Sequence, residues 1–272
     1  MSRIGYPARL IREESKMRNT YTGKVAIVTG GSRGLGKSMA LHIAAKDNDV
    51  ILTYNSMNTD AEEVVKQIEA TGRGAAALAL DVSDTKSFGD FFIRLKDVLA
   101  AKWRRDTFDY LVNNAGIGIH AAFAQTSEEQ FDDLMKVHLK GPFFLTQKLL
   151  PLIRDGGRIV NVSTGLARFT LPGYAAYASM KGGMEVLTRY MAKELGSRNI
   201  SVNIIAPGAI ETDFAGGSIR DNKDLNRIIA AQTALGRVGL PDDVGGAVAA
   251  LLADENLWIT GQRIEVSGGQ SL

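Results

Sequence analysis

The sequence predicts a single α/β domain, with a doubly wound parallel sheet of about seven strands and helices on both faces. Short apolar segments rich in β-branched residues alternate with helical segments along the chain. Such apolar segments are typical of parallel strands that are buried on both faces. Right-handed crossovers join strands in this alternation into one sheet. Because no break in composition divides the 272 residues, we expect one domain.

The first four strands are expected where short apolar segments precede helical ones. They are "KVAIVT" (24–29), "DVILTY" (49–54), "GAAALAL" (74–80) and "FDYLVN" (108–113). Propensity supports the third strand least, because alanine is uncommon in strands. The helices that follow the first three strands are expected at residues 35–46, 59–71 and 84–102.

The second half of the chain continues the alternation. Strands are expected at "GRIVNVS" (157–163), "ISVNIIA" (200–206) and "QRIEV" (262–266), and helices at 127–152, 174–197 and 241–253. Gly141-Pro142 lies inside the first of these helices, which should kink there or pass to a new helix because proline interrupts helical hydrogen bonding. Residues 1–20 are polar and lack the apolar core of a signal peptide, so we expect a flexible extension before a domain at 21–272.

The overall composition argues against several classes of function. The formal net charge is only +2, which gives no reason to expect a nucleic-acid or anionic-membrane partner. The absence of cysteine excludes disulfides and thiolate chemistry, and it suits a reducing cytoplasm, where we expect the protein. The three histidines, His42, His120 and His138, show no metal-ligand spacing, so no metal site is expected. No apolar segment approaches the roughly 18 residues of a membrane helix.

A glycine-rich turn, "TGGSRGLG" from Thr29 to Gly36, follows the first strand and opens the first helix. Glycine lets the backbone turn sharply and approach a ligand without clashes of a Cβ atom. The start of the helix then directs amide donors and a positive dipole end at a phosphate. A strand before and a helix after such a turn are the context of a Rossmann-type dinucleotide site. The alternative is a merely structural turn.

The spacing of this turn, G-x-x-x-G-x-G, resembles the nucleotide loop of the short-chain dehydrogenase/reductase family. Further matches to that family follow in order: "DVSD" (81–84), "NNAG" (113–116), "YASMK" (177–181), "APG" (206–208) with Thr212, and "SGG" (267–269). The resemblance extends from Lys24 to Gly269. It implies an oxidoreductase that transfers a hydride between a nicotinamide and a ketone or secondary alcohol, and a homotetramer or homodimer. The 3-oxoacyl-carrier-protein reductases are members that this chain resembles.

The resemblance, together with the charges near the glycine-rich turn, implies a set of cofactor-binding residues. They are Gly30, Ser32, Arg33, Gly34, Leu35, Gly36, Asn55, Ser56, Asp81, Val82, Asn114, Ala115, Gly116, Tyr177, Lys181, Pro207, Gly208, Ile210 and Thr212.

Tyr177 and Lys181 lie four residues apart, which places them on one helix face about 6 Å apart along the axis. A lysine cation beside a tyrosine should favour the phenolate and lower the pKa of the phenol. The phenol then can exchange a proton with a carbonyl or alcohol oxygen. By resemblance, Lys181 would also hold the nicotinamide ribose. The pair alone would equally suit a surface helix with a snorkelling lysine. Tyr174 is expected to be a packing or pocket residue.

Two positions depart from the family pattern. Counting back 13 residues from Tyr177, where the family has a serine that binds the substrate oxygen, reaches Thr164. Thr164 keeps a hydroxyl donor, and Ser163 is the alternative if the loop is shifted by one residue. His138 stands where the family usually has an asparagine that anchors a water chain to the lysine. A histidine in such a relay should titrate near pH 6.5, and activity should fall as pH drops through that value. The alternative is a helix residue whose ring is satisfied locally.

The charges near the nucleotide loop favour NADP(H) over NAD(H). NAD enzymes usually carry an acidic residue at the end of the second strand, but here that end reads "TYNS" (53–56). Arg33 in the glycine loop can reach a 2′-phosphate with its guanidinium, and Asn55 and Ser56 can add neutral hydrogen bonds. A solvated surface arginine is the alternative.

The substrate is left open by the sequence. Residues 209–235 should form a substrate lid, and Ile119, Phe123, Leu166, Phe169 and Phe214 could line an apolar pocket or belong to the core. A ketone, a secondary alcohol or an acyl thioester would fit. A second hypothesis is a nucleotide-binding sensor or scaffold on the same fold with little turnover, which the replacements at Thr164 and His138 keep open.

Overall fold

The structure, a computed structural model, describes residues 23–56 and 58–272, so the expected extension at 1–20 lies outside the described residues. Seven parallel strands form one sheet in the order β3-β2-β1-β4-β5-β6-β7. Their bounds are β1 Val25–Val28, β2 Asp49–Tyr54, β3 Ala75–Ala79, β4 Phe108–Asn113, β5 Ile153–Val162, β6 Ser201–Pro207 and β7 Arg263–Val266. The predicted fold class is confirmed.

The helices follow the strands as expected, and residues 209–235 contain two more. Their bounds are α1 Gly34–Ala44, α2 Asn58–Glu69, α3 Phe88–Trp103, α4 Glu128–Met135, α5 Gly141–Leu149, α6 Ala175–Leu195, α7 Ser218–Asp221, α8 Lys223–Ala231 and α9 Pro241–Leu251. The segment 209–235, which we expect to form a substrate lid, is therefore partly helical. Helix α8 begins where the Asn222 side chain accepts from the amides of Asp224 and Leu225.

Between α4 and α5 the helix widens into a π-turn over Lys136–Lys140. Pro142 has no N–H to give to the carbonyl four residues before it, and the Gly141 amide donates to Lys136, five residues before it. The irregularity expected at Gly141-Pro142 thus takes the form of this wide turn. It contains His138, so it decides where that ring points.

The sheet is buried because its strands alternate apolar side chains between two helical layers. In β1, Ala26 and Val28 pack on one face with α1, α2 and α9, whereas Val25 and Ile27 pack on the other with α3 and α5. All four residues of β1 are fully buried. A short strand that is apolar at every position is what two covered faces require.

The order of the strands reverses between β1 and β4, which lie side by side although β2 and β3 come between them in the chain. In an open α/β sheet a crevice forms outside the carboxyl ends of the strands at such a reversal. The motifs at 29–36, 113–116, 163–164 and 206–208 all follow the carboxyl ends of strands. The fold therefore brings them together at one edge.

Candidate active site

The glycine-rich turn is held against the end of β4. A side chain at position 36 would collide with the carbonyl oxygen of Gly30 and with the amide of Asn114. Gly30 and Gly34 have φ of +64° and +54°, a region that favours glycine. The Asn114 side chain donates to the carbonyl oxygens of Thr29 at 2.8 Å and Gly30 at 3.1 Å. The Asn114 side chain thus holds the glycine-rich turn in place by hydrogen bonds to the backbone of that turn.

Helix α1 begins within this turn, at Gly34, and no N-cap side chain accepts a hydrogen bond from its first amides. Arg33 is the N-cap residue, its side chain makes no capping hydrogen bond, and the first turn has no acidic residue. Free helix amides and a backbone without Cβ atoms are what a pyrophosphate needs. The residues present therefore fit a dinucleotide cofactor.

Arg33 points away from the sheet toward the predicted lid. Its Nη1 atom lies 3.7 Å from the Asp213 carboxylate, and the Arg33 side chain is 61% exposed. Asn55 and Ser56 are exposed at the end of β2. The Arg33 guanidinium and the side chains of Asn55 and Ser56 are therefore all accessible to a ligand. The contact with Asp213 was not expected from the sequence, because 180 residues separate the two side chains.

The remaining predicted cofactor residues line the same edge. Asp81 accepts from the amide and hydroxyl of Ser83 at 2.8 and 2.7 Å, and Val82 is buried against Gly141. The other positions, on the β1, β4 and β6 sides of the crevice, are Ser32, Leu35, Ala115, Gly116, Pro207, Gly208, Ile210 and Thr212. The Thr212 side chain faces Gly34 across the crevice. The chain from β6 therefore lies directly over the glycine loop.

Tyr177 and Lys181 lie on α6 and are both buried. The Thr164 hydroxyl lies close enough to the Tyr177 phenol to lower its pKa, against the effect of burial. Lys181 Nζ lies 5.7 Å from the centroid of the Tyr177 ring and donates to the carbonyl oxygen of Val162 at 2.7 Å. The structure thus brings together a phenol, an aliphatic hydroxyl and an amine at the end of β5.

Burial has the largest effect on the pKa values of Tyr177 and Lys181. Burial raises the pKa of Tyr177 above its ordinary value, and the Thr164 hydroxyl acts in the opposite direction. Burial also lowers the pKa of Lys181 to about 7. The expectation that the Lys181 charge lowers the pKa of Tyr177 is therefore wrong for this structure. Tyr177 is a neutral phenol, which suits a proton donor.

Ser163 and Thr164 point in different directions. The Ser163 hydroxyl donates to the Glu185 carboxylate at 2.5 Å, away from Tyr177. The Thr164 hydroxyl meets Tyr177 and also accepts from the Leu166 amide at 3.3 Å. Successive residues of an extended chain face opposite ways, so only one of the two can face the phenol. In this structure that residue is Thr164.

His138 is buried behind Tyr177, with the two ring centroids 5.1 Å apart. Its Nε2 atom lies 2.7 Å from the carbonyl oxygen and 3.2 Å from the amide of Ile117. Burial, and secondly the Lys181 charge, lower the pKa of His138 to about 3. The expected titration near pH 6.5 and the resulting acid limb are therefore wrong, because the ring stays neutral across the pH range of ordinary activity.

This low pKa has a measurable effect on stability. Between pH 6.5 and about 3 the unfolded chain protonates His138 and the folded chain does not, so the free energy of unfolding falls with pH by about 1.4 kcal/mol per unit. We expect wild type to lose about 1.4 kcal/mol more than His138→Asn between about pH 7.5 and about pH 5.5 in urea unfolding. Equal losses would contradict the buried neutral ring, and the activity profiles of the two proteins should superimpose above pH 5.

Aromatic rings surround the Tyr177 phenol on the side of the predicted lid. Tyr177 lies 5.7 Å from Phe214 and 6.3 Å from Tyr174, and Tyr174 lies 5.1 Å from His120, centroid to centroid. Phe214 is 41% exposed. These four residues, Tyr177, Phe214, Tyr174 and His120, form what we call the ring cluster.

The ring cluster only partly matches the predicted apolar pocket. Ile119 and Leu166 pack beside Tyr177, whereas Phe123 is 85% exposed and Phe169 packs on Gly165. The sequence did not indicate that His120 belongs to this cluster. The residue that could have indicated it is Gly173, because a side chain there would collide with the His120 ring. The Ala121 amide also donates to the Gly173 carbonyl at 2.9 Å. No cluster of histidine and acidic residues that could hold a metal ion, and no helix long and apolar enough to cross a membrane, occurs within 23–56 and 58–272.

Comparisons with known proteins show which family the chain is similar to. A family model described as enoyl-(acyl carrier protein) reductase matches residues 30–271. The chain is 36% identical over 248 residues to the 3-oxoacyl-[acyl-carrier-protein] reductase FabG of Staphylococcus aureus, covering 90% of this chain and 97% of that protein. It is 34% identical over 258 residues to the hydroxynaphthalene reductase-like protein Arp2 of Metarhizium brunneum, covering 91% and 94%.

Solved structures give the same result. The angucycline C-6 ketoreductase LanV with bound NADP is similar with a TM-score of 0.87 and 33% identity, covering 93% of this chain and 97% of that one. A further LanV structure holds NADP and rabelomycin. With a family match over most of its length and named reductases among its relatives, this chain belongs to the short-chain dehydrogenase/reductase family and is an oxidoreductase acting on C=O or CH–OH groups.

Proposed function

We propose that this protein is an NADP(H)-dependent ketone reductase in which Tyr177 gives a proton to the substrate oxygen and Thr164 holds that oxygen by a hydrogen bond. The observation that carries the proposal is that the Tyr177 phenol, the Thr164 hydroxyl and the Lys181 amine are all buried at the end of β5, where Thr164 acts to lower the pKa of Tyr177. An oxygen that reaches both groups receives two donors at once, which favours the charge that develops on it during reduction. The bound nicotinamide supplies the hydride.

Lys181 would act beside this pair as a charged or neutral amine according to pH. Its pKa of about 7 means that both forms exist near neutrality, where proton exchange with a partner is easiest. One of its three donors is used by Val162. The others can reach the ribose hydroxyls that the family resemblance assigns to it.

The ring cluster supports a fused-ring aromatic ketone as the substrate. Flat aromatic ligands bind well to aromatic walls, because offset and edge-to-face contacts add about 0.5–1.5 kcal/mol per pair. Arp2 is named as a hydroxynaphthalene reductase-like protein, and LanV has been solved with rabelomycin. An acyl thioester is the second candidate, favoured by the similarity to FabG.

Initial rates of NADPH consumption test these alternatives. We expect 1-tetralone, a bicyclic aromatic ketone, to exceed cyclohexanone in kcat/KM by roughly tenfold, because only the former can contact the ring cluster through an aromatic face. Acetoacetyl-coenzyme A serves as the thioester. A higher kcat/KM for the thioester would overturn the aromatic substrate. Tight binding of NADPH without turnover of any carbonyl would favour the sensor hypothesis.

We also propose a preference for NADPH that depends on Arg33. Arg33→Ala should weaken NADPH binding about ten- to hundredfold, because a charge-assisted hydrogen bond to the 2′-phosphate is lost, and should change NADH binding little. Fluorescence titration with both cofactors measures the two affinities. Lys46→Ala, the loss of an exposed cation after α1, is the control. Equal losses for both cofactors would contradict the preference.

Three expectations remain predictions: the homotetramer or homodimer implied by the family resemblance, the cytoplasmic location, and the lid at 209–235. Sedimentation equilibrium of the purified protein measures the first directly.

A further inference from the structure

The carboxyl end of β5 is held residue by residue by side chains of α6. The hydrogen-bonded pairs are Asn161 with Thr188, Val162 with Lys181, and Ser163 with Glu185, and the Thr164 hydroxyl lies beside the Tyr177 phenol. Two of these α6 residues, Tyr177 and Lys181, belong to the proposed function. Glu185 lies one further turn along the same face of the helix. Glu185 is not among the residues of the proposed function.

Regular pairing of β5 with β6 ends before Thr164. Val162 is the last β5 residue paired with β6, and the Ser163 amide still donates to Ile205 at 2.7 Å. Thr164 is extended, and a 3₁₀ turn over Gly165–Ala167 follows it. The sheet therefore does not determine where the Thr164 hydroxyl lies, and contacts from other elements must do so.

Arg263, at the start of β7, supplies such a contact. Its Nη2 atom donates to the carbonyl oxygen of Thr164 at 3.2 Å, and its Nε atom donates to the Glu185 carboxylate at 2.7 Å. Its Nη1 atom donates to Glu265 at 2.7 Å. All three nitrogens of one planar group are thus engaged, which fixes the guanidinium in place.

The Glu185 carboxylate joins the two contacts. Its Oε1 atom accepts from both the Ser163 hydroxyl and Arg263. The side chains of Glu185 and Arg263 are 15% and 21% exposed, so water screens their attraction little. The residue before Thr164 and the backbone of Thr164 itself are therefore both tied to one ion pair.

We propose that Glu185 and Arg263 are positioning residues that hold the Thr164 hydroxyl against Tyr177. The inference rests on the proposed role of Thr164. Ser163 acts in the same arrangement, because its hydroxyl anchors the loop to Glu185 and leaves Thr164 as the residue that faces the phenol. Within residues 23–56 and 58–272, the hydrogen bonds of the Glu185 and Arg263 side chains join them to each other, to Ser163, to Thr164 and to Glu265.

The kinetic test compares Glu185→Gln and Arg263→Met with wild type. Both should lower kcat for the best ketone by about tenfold or more, since a shift of about 1 Å at a reacting group can cost a hundredfold, while the Kd for NADPH stays within twofold. Glu194→Gln and Arg189→Met make the same changes at exposed positions of α6 and should match wild type. Arg263→Lys keeps the charge beside Glu185 without the fork, so its kcat should be intermediate.

A double mutant tests whether Ser163 acts through Glu185. If it does, Ser163→Ala combined with Glu185→Gln should lower kcat no further than Glu185→Gln alone. Effects that multiply would overturn this part of the inference, as would a kcat within twofold of wild type for both single variants.

Hydrogen exchange gives a readout that needs no turnover. The Leu166 amide donates to the Thr164 hydroxyl, so a peptide covering 163–169 should exchange faster in Glu185→Gln and Arg263→Met. A peptide covering β2 should exchange as in wild type, which shows that the variants are folded. Unchanged exchange at 163–169 would overturn the inference. If wild type reduces no ketone, the proposed function fails, and this experiment still decides what holds Thr164.

Discussion

Tyr177→Phe should abolish most ketone reduction, with kcat lower by about 10²- to 10⁴-fold, the usual contribution of a positioned general acid. Burial keeps the Tyr177 phenol neutral, so it has a proton to give, and phenylalanine has none. The ring itself should stay in place, because it packs between His138 and Phe214 at 5.1 and 5.7 Å. The Kd for NADPH should change little, since no phosphate contact is removed.

The neighbouring tyrosine provides the control for this result. Tyr174→Phe also removes a phenol hydroxyl, and the Tyr174 ring lies 6.3 Å from that of Tyr177. Its kcat should stay within a few-fold of wild type, because the Tyr174 ring packs against His120 as a packing or pocket residue would. Initial rates at saturating NADPH and a fluorescence titration of each variant measure both quantities. A wild-type rate in Tyr177→Phe together with a loss in Tyr174→Phe would reverse the assignment.

Thr164→Ala should lower kcat by about 10²- to 10³-fold, comparable to the loss of one donor to a developing oxyanion. The Thr164 hydroxyl is the group that faces Tyr177, and alanine leaves the substrate oxygen with a single donor. Removal of the hydroxyl also removes a group that opposes the rise in the pKa of Tyr177. Both effects act on the same proton transfer, so kcat should fall more than KM rises.

Two further variants separate the hydroxyl from its surroundings. Thr164→Ser keeps the donor and should retain a rate within a few-fold of wild type. Ser163→Ala should cost about tenfold at most, because Ser163 bonds Glu185 and not the phenol. A larger loss in Ser163→Ala than in Thr164→Ala would mean that the loop shifts by one residue in the working enzyme.

Local patterns in the sequence were sufficient for the fold and for the outline of the site. Buried strands reveal themselves by short apolar segments, and helices by their length and spacing, so the order of elements follows from the chain itself. The glycines of 30–36 and the four-residue spacing of Tyr177 and Lys181 are local as well. The predicted strand ends and helix starts lie within a few residues of those in the structure. The exception is the start of β5, which lies at Ile153 rather than at the predicted residue 157.

Counting back from Tyr177 favoured Thr164, but the sequence could not exclude Ser163, because the choice depends on where distant side chains meet the end of β5. Glu185 and Arg263 lie 78 residues apart in the chain and become neighbours only when β7 joins the sheet. The ring cluster arises in the same way, from His120 after β4, Tyr177 on α6 and Phe214 after β6.

The sequence by itself determined the doubly wound sheet, the glycine-rich turn and the Tyr177–Lys181 pair, since periodicity and spacing are properties of neighbours in the chain. Only the tertiary structure decided that Thr164 faces the phenol, that His138 stays neutral and that the pKa of Tyr177 is raised rather than lowered. The physical reason is desolvation. The energy of a charge depends on how much water reaches it, and only the packing of elements that lie far apart in the chain decides that.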